Sequence, residues 1–259
     1  MRSTFLGTPV DVLTLDETLE SINRAMATGH PLRHVALNVA KLVKMRADAE
    51  LRQDVESADI IGIDGMGIVW GMRILGTPVP ERVAGIDLMA AVLRLCAERG
   101  YRPYFLGAKV DIVRGAVEKT MQKFPDLVFA GVHHGYFTPV EEPQILADIE
   151  RSNADCLFIG MPTPAKERFL ARNSARLGTP FIMGVGGSFD VLSGYVKRAP
   201  RWARLWGLEW AYRIYQEPRR MWRRYATTNA QFLWLFSQAL FKRMTSRRNP
   251  EGSKTADQP

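Results

Sequence analysis

Short apolar runs alternate with longer amphipathic stretches through about the first three quarters of the chain. Runs rich in β-branched and aromatic residues at 4–12, 34–38, 58–63, 103–107, 127–132, 155–160 and 180–185 predict strands. The first is broken by Gly7 and Pro9. Between them the spacing predicts helices over 15–27, 41–52, from beyond Asp64 to about 75, from a polar loop at 80–87 to about 99, and over 110–124, 140–152 and 165–177. Thr14-Leu15-Asp16-Glu17 has the form of a capping box for the first of these. Alternating strands and helices with short turns imply βαβ units, hence an α/β, Rossmann-like and mostly parallel sheet flanked by helices.

From Arg198 onward the pattern changes. No strand is predicted; amphipathic helices follow, interrupted by Pro200, Gly207 and Pro218, with a long one over about 219–244. The expected division is an α/β unit over 1–195, a basic amphipathic helical appendage over 196–246, and a disordered tail over 247–259.

Charge sharpens that division. The 259 residues carry a formal net charge of +8, but residues 195–259 hold 14 Lys+Arg against 4 Asp+Glu, a net of +10. The remaining 194 residues hold 21 against 23. Five of six tryptophans, Trp202, Trp206, Trp210, Trp222 and Trp234, also lie in the basic segment. Trp and Arg on one amphipathic helix suit an anionic membrane surface; packing on the chain's own body is the other reading. A nucleic-acid-binding protein would also carry such a charge, but no reader motif accompanies it. No run of about 18 uncharged apolar residues and no signal-peptide core are present, so the expected place is cytoplasmic, peripheral on the inner face of the membrane.

Candidate chemistry begins at Ile60-Ile61-Gly62-Ile63-Asp64-Gly65-Met66-Gly67. Asp64 ends a strand, and open α/β sheets collect ligands at the carboxyl ends of their strands. It is a candidate base, or a cap for the next helix. Two glycine turns, at Gly107 and at Gly184-Val185-Gly186-Gly187-Ser188, could present backbone N–H groups to a diphosphate. Neither carries the G-x-G-x-x-G fingerprint, which weakens a nicotinamide-dependent dehydrogenase. Arg82, Arg213, Arg220 and Arg223 could pair phosphate oxygens. His133 and His134 lack partners at ligand spacing, so no metal is expected. Cys96 and Cys156, far apart in apolar runs, read as buried hydrophobes.

Read together, these residues resemble the WecG/TagA/CpsF family of bacterial glycosyltransferases. The carriers are Asn38, Asp64-Gly65-x-Gly67, Glu81-Arg82-Val83-x-Gly85-x-Asp87, Phe105-Leu106-Gly107 and Val185-Gly186-Gly187-x-Phe189-Asp190. Further carriers are Gly194, Arg198-Ala199-Pro200, Glu209-Trp210-x-Tyr212-Arg213 and Glu217-Pro218-x-Arg220-x-x-Arg223. The resemblance implies a metal- and cofactor-independent inverting transfer of a hexosyl unit. The donor would be a UDP-sugar, glucose, N-acetylmannosamine or its uronic acid, and the acceptor a polyprenyl-diphosphate-linked saccharide. It implies Asp64 as general base, Asn38 and Arg82 in the pocket, and Arg213, Arg220 and Arg223 on a tail that meets the diphosphate. No nucleic-acid partner is expected, since no reader motif accompanies the charge, and a homo-oligomer stays open. The chain departs from the family where Gly160-Met161-Pro162-Thr163-Pro164-Ala165-Lys166-Glu167 puts Lys166 at a pocket glutamine and Pro162 at a glycine, and where Ala36 replaces a frequent threonine.

Overall fold

The capping box is formed: Thr14 Oγ1 accepts from the Glu17 N–H at 3.1 Å, and the Glu17 carboxylate accepts from the Thr14 N–H at 2.7 Å. It opens α1 (Leu15–Thr28), behind the hairpin of β1 (Arg2–Phe5) and β2 (Thr8–Asp11). The computed structural model describes residues 1–248, with the side chains of Arg220 and Arg224 and those from Ser246 on left out. Next come β3 (Leu32–Leu37), α2 (Val39–Ala47) and α3 (Ala49–Glu56). The single helix expected over 41–52 is thus two. Asp48 lies in extended backbone and its carboxylate accepts from the Leu51 N–H, so it ends one helix and caps the next.

β4 (Ile60–Ile63) and α4 (Met66–Ile74) follow, then α5 (Gly85–Arg99), which begins inside the stretch expected to be loop. β5 (Pro103–Gly107), α6 (Val110–Lys123), β6 (Gly131–His133), α7 (Glu142–Ser152), β7 (Cys156–Gly160), α8 (Ala165–Leu177) and β8 (Phe181–Gly184) complete the alternation. β6 is shorter than expected, because only 131–133 pair with β5. The tail forms α9 (Ser188–Leu192), α10 (Arg201–Leu205), α11 (Glu209–Gln216) and α12 (Pro218–Arg248). Residues 249–259, most of the expected disordered tail, lie outside the described residues.

The strand order is β1-β2-β4-β3-β8-β7-β5-β6, parallel except for β1. The chain builds outward from β3 to β4, crosses to β5, and returns inward through β7 to β8. The β3/β8 junction is therefore where the two halves meet, and a crevice is expected above such a switch point. Strand residues alternate between two cores. Val35, Leu37, Ile61, Ile63 and Ile182 pack with α2, α3, α4, α7, α8 and α12, while Phe105, Phe158, Phe181 and Met183 pack with α1, α5, α6 and α9. Cys96 and Cys156 are buried, as expected of small hydrophobes, yet the fold brings their sulfurs to 3.6 Å.

Between β3 and β4, His34 lies over Gly62, where a Cβ would meet its Nε2 at 2.6 Å. Neither ring nitrogen has a hydrogen-bond partner. Burial, and then the Lys41 ammonium, hold His34 down to about 4, against the opposing pull of Asp11. The unfolded chain protonates this imidazole near its ordinary value of 6.5 and the folded chain does not, so stability is complete above about pH 6.5 and falls as pH drops toward 4. The expected loss is on the order of 3 kcal/mol. Urea unfolding at pH 7 and at pH 4.5 measures it, and His34→Leu should flatten that part of the profile.

The tail lies against the body. Phe232 and Met221 of α12 are buried, and the Phe232 ring is 6.3 Å from Phe5. Arg243 donates to the Ile74 carbonyl at 2.7 Å, serving the C-terminus of α4.

Candidate active site

Asp64 leaves β4 at the carboxyl edge of the sheet, with its N–H bonded to the Leu37 carbonyl at 3.0 Å. Gly65, not Asp64, is the N-cap of α4, and α4 has no side-chain cap. Instead the Asp64 Oδ1 accepts from the Gly85 N–H, the first residue of α5, at 3.1 Å. The carboxylate therefore spans two elements rather than closing its own helix. The glycines beside it serve packing: a Cβ at Gly65 would meet Asn38 at 3.4 Å, and one at Gly67 would meet Val39 at 2.7 Å. That closeness seats Asp64 next to the end of β3.

Asn38 sits at that end, and its Oδ1 accepts from the Lys41 N–H at 3.0 Å to start α2. Arg82, from the loop between α4 and α5, is mostly buried and ion-paired to Glu209 of α11 at 2.5 Å. Burial raises Asp64 above the ordinary carboxylate range, ahead of the opposing Gly85 N–H and Arg82 guanidinium. Glu209 adds to the rise, and Lys41 opposes it weakly.

Across the switch point, β8 runs into the turn Val185-Gly186-Gly187. Gly186 has φ +53 and open space beside its Cα, so its backbone can face a ligand. A Cβ on Gly187 would lie 3.8 Å from Arg213 Nη1, so the tail brings Arg213 to this turn. Arg213 and Glu209 also line the crevice that reaches Ile86 and Arg198.

The other expected residues are placed differently. Gly107, φ +139, abuts the Gly160 backbone, where a Cβ would be 2.5 Å from its carbonyl carbon. Its place in the fold follows from that close approach. Arg223 is exposed and lies over the Trp222 ring at 5.5 Å, turned outward with it. The side chain of Arg220 lies outside the described residues.

Lys166 is buried in a cluster the sequence did not announce. Its Nζ donates to Thr163 Oγ1 at 2.5 Å and pairs with Glu167 at 2.8 Å, and Lys41 pairs with the same Glu167 oxygen at 2.8 Å. Lys41 also donates to the Ala36 carbonyl at 2.6 Å. The Lys166 stem runs beside Gly184, and Ala36 faces Gly85, so two of the three departures from the family pattern border the switch point. Burial alone would push Glu167 up, but Lys41 and Lys166 outweigh it and hold the carboxyl at about 2. Glu167→Gln strands two buried ammonium groups and is expected to cost about 3–5 kcal/mol, read as a drop in the urea midpoint at pH 7. That penalty should shrink as pH falls from 4.5 toward 2, where the wild-type carboxylate itself is protonated.

A doubly wound sheet with an acid, an arginine and a glycine turn around its switch point defines an α/β protein with a candidate ligand crevice at the carboxyl edge of the sheet. The chain belongs to the glycosyl transferase WecG/TagA/CpsF family, whose sequence profile matches residues 3–247. It is 34% identical over 171 residues to the N-acetylglucosaminyldiphosphoundecaprenol N-acetyl-beta-D-mannosaminyltransferase of Bacillus subtilis (strain 168). To the enzyme of the same name from Bacillus spizizenii (strain ATCC 23059 / NRRL B-14472 / W23) it is 36% identical over 171 residues. In each case the matched stretch is 66% of this chain and 65% of the relative.

Proposed function

We propose that the chain is an inverting glycosyltransferase that moves a hexosyl unit from a UDP-sugar to a saccharide carried on polyprenyl diphosphate. Family membership supports the reaction type, and the relatives' names supply the class of acceptor. The observation that carries the site is the placement of Asp64 at the end of β4, held by the Gly85 N–H, across the switch point from the Gly186-Gly187 turn and Arg213.

In this reading the Asp64 carboxylate takes the proton of the acceptor hydroxyl as its oxygen attacks the anomeric carbon. The bond from that carbon to the diphosphate oxygen breaks, and its electron pair leaves with UDP. Arg213, Arg82 and the backbone N–H groups of the Gly186-Gly187 turn offset the charge that develops on the departing diphosphate. Because the Asn38 carbonyl oxygen is engaged in its cap, the amide N–H₂ is the end offered to a sugar hydroxyl. A base raised by burial is closer to the working pH and abstracts protons more effectively.

The tail would hold the enzyme against an anionic bilayer, where such an acceptor resides. Trp206, Leu205, Trp234 and Phe241 are each more than 60% exposed, Arg201 and Lys242 are exposed near them in sequence, and Arg219 is exposed at the start of α12. Exposed aromatics with interleaved cations are the composition of an interfacial surface. Among the described residues no helix is long and apolar enough to cross a membrane, so such binding would be peripheral. Exopolysaccharide or cell-envelope polysaccharide synthesis is the setting that fits this substrate pair.

The test is transfer from radiolabelled UDP-glucose, UDP-N-acetylmannosamine and its uronic acid to N-acetylglucosaminyl and glucosyl diphosphoundecaprenol. Formation of a labelled lipid-linked disaccharide from one of them is the expected result. No transfer from any, with intact UDP-sugar recovered, would reject the reading.

A further inference from the structure

Arg82, three residues before the Gly85 N–H that holds Asp64, interacts with two carboxylates far apart in the chain. One is Asp64, whose ionised form the guanidinium favours; the other is Glu209, to which it is ion-paired. The pair is sheltered, with the Arg82 side chain 12% and the Glu209 side chain 29% exposed. The helix that follows this loop is also pinned to the tail, where Arg198 donates to Asp87 in the first turn of α5 at 2.6 Å. Glu209 is at the first position of α11, behind the turn at Gly207 that packs on Met66 and Trp70 of α4. Two ion pairs and one tight turn therefore bring a tail carboxylate to an arginine whose charge acts on the candidate base.

We propose that Glu209 is a positioning residue for Asp64: by holding the Arg82 guanidinium, the tail carboxylate sets how much of that positive charge reaches the base. This rests on the reading of Asp64 as the base. The physical ground is Coulombic. An arginine beside a half-buried carboxylate stabilises its anion, and a second carboxylate on the arginine cancels part of that effect. Among the described residues, the groups acting on Asp64 are the Gly85 N–H from α5, Arg82 from the preceding loop, Glu209 from α11 and Lys41 from α2. Of these, only Glu209 is negative, and only Glu209 belongs to the tail.

A docked tail thereby makes Asp64 a stronger base than the body alone would. The same pairing keeps Arg82 engaged before substrate arrives. An incoming diphosphate must compete with Glu209 for the guanidinium, so loss of Glu209 should weaken the base and tighten the hold on UDP together.

The experiment compares the wild type with Glu209→Gln, Glu209→Asp and Arg198→Ala. Two readouts are used: the pH dependence of kcat/KM, and the carbon-13 titration of the Asp64 carboxyl, assigned by its loss in Asp64→Asn. Glu209→Gln is expected to move the acidic limb and the carbon-13 midpoint down together by about half a unit to one unit. It should lower kcat about three- to tenfold with a lower KM for the UDP-sugar, as a weaker base and a released arginine require. Glu209→Asp should fall between the two. Arg198→Ala, which loosens the tail but keeps the carboxylate, should leave the carbon-13 midpoint within a few tenths of a unit.

An unchanged midpoint in Glu209→Gln overturns the proposal. So does a shift in Arg198→Ala that persists undiminished when Glu209→Gln is already present, since tail docking rather than the carboxylate would then account for it. If the wild type transfers no sugar, the glycosyltransferase reading fails, and the carbon-13 titration still decides whether Glu209 acts on Asp64 through Arg82.

Discussion

Asp64→Asn is expected to lower kcat by about 10²–10⁴-fold, the range for losing a positioned general base. The substitution is nearly isosteric and keeps an oxygen to accept from the Gly85 N–H, so the start of α5 should hold and the fold with it. What disappears is the ability to take a proton. KM for the UDP-sugar should change little, because Arg213 and the Gly186-Gly187 turn, on the far side of the switch point, are untouched. The acidic limb of the kcat/KM profile should vanish with the carboxylate. In the wild type that limb should lie above the ordinary carboxylate range, because burial makes the charged form of Asp64 costly. Near-wild-type turnover by Asp64→Asn, measured on the lipid-linked acceptor, would remove Asp64 from the mechanism.

The second large effect concerns the tail surface. Trp206→Ser, Trp234→Ser and Phe241→Ser together should reduce partitioning onto phosphatidylglycerol-containing vesicles by about 10²-fold or more, since each buried aromatic contributes roughly 1.5–3 kcal/mol. These side chains are 71%, 61% and 70% exposed, so the melting temperature should be nearly unchanged. Transfer to a long-chain acceptor in vesicles should fall with binding, while transfer to a short-chain, water-soluble analogue should persist. Unchanged flotation by the triple variant would make α12 a packing element alone. Deleting the chain from Arg198 is a poorer test. Phe232 and Met221 are buried, and Phe232 meets the hairpin at Phe5, so the deletion opens the core as well as the site.

Much of the architecture was readable in the chain, because its signals are local. Short apolar runs alternate with stretches of period 3.6, Thr14 and Glu17 mark a helix start within one turn, and glycines mark turns. The errors are local competitions that the pattern does not resolve. Asp48 reads as a helical residue until its side chain is seen to cap a second helix. Leu127 is buried and apolar but unpaired, since strand identity needs a neighbour. Gly107 is legible as a turn, but that its backbone lies against Gly160 is visible only in the β5–β7 register.

The sequence by itself determined the Rossmann-like, mostly parallel sheet, the acid at a strand end, the glycine turn after the last predicted strand, and the basic, tryptophan-rich tail. Tertiary structure alone decided what those parts face. It turned Arg213 to the glycine turn and Arg223 outward onto Trp222. It buried Lys41 and Lys166 around one Glu167 oxygen, and it carried Glu209 across 127 residues of chain to Arg82. Backbone periodicity and caps act over a few residues and can be read along a line. Ion pairs and buried charges form between elements brought together by packing, and no spacing in the chain encodes which carboxylate an arginine will meet.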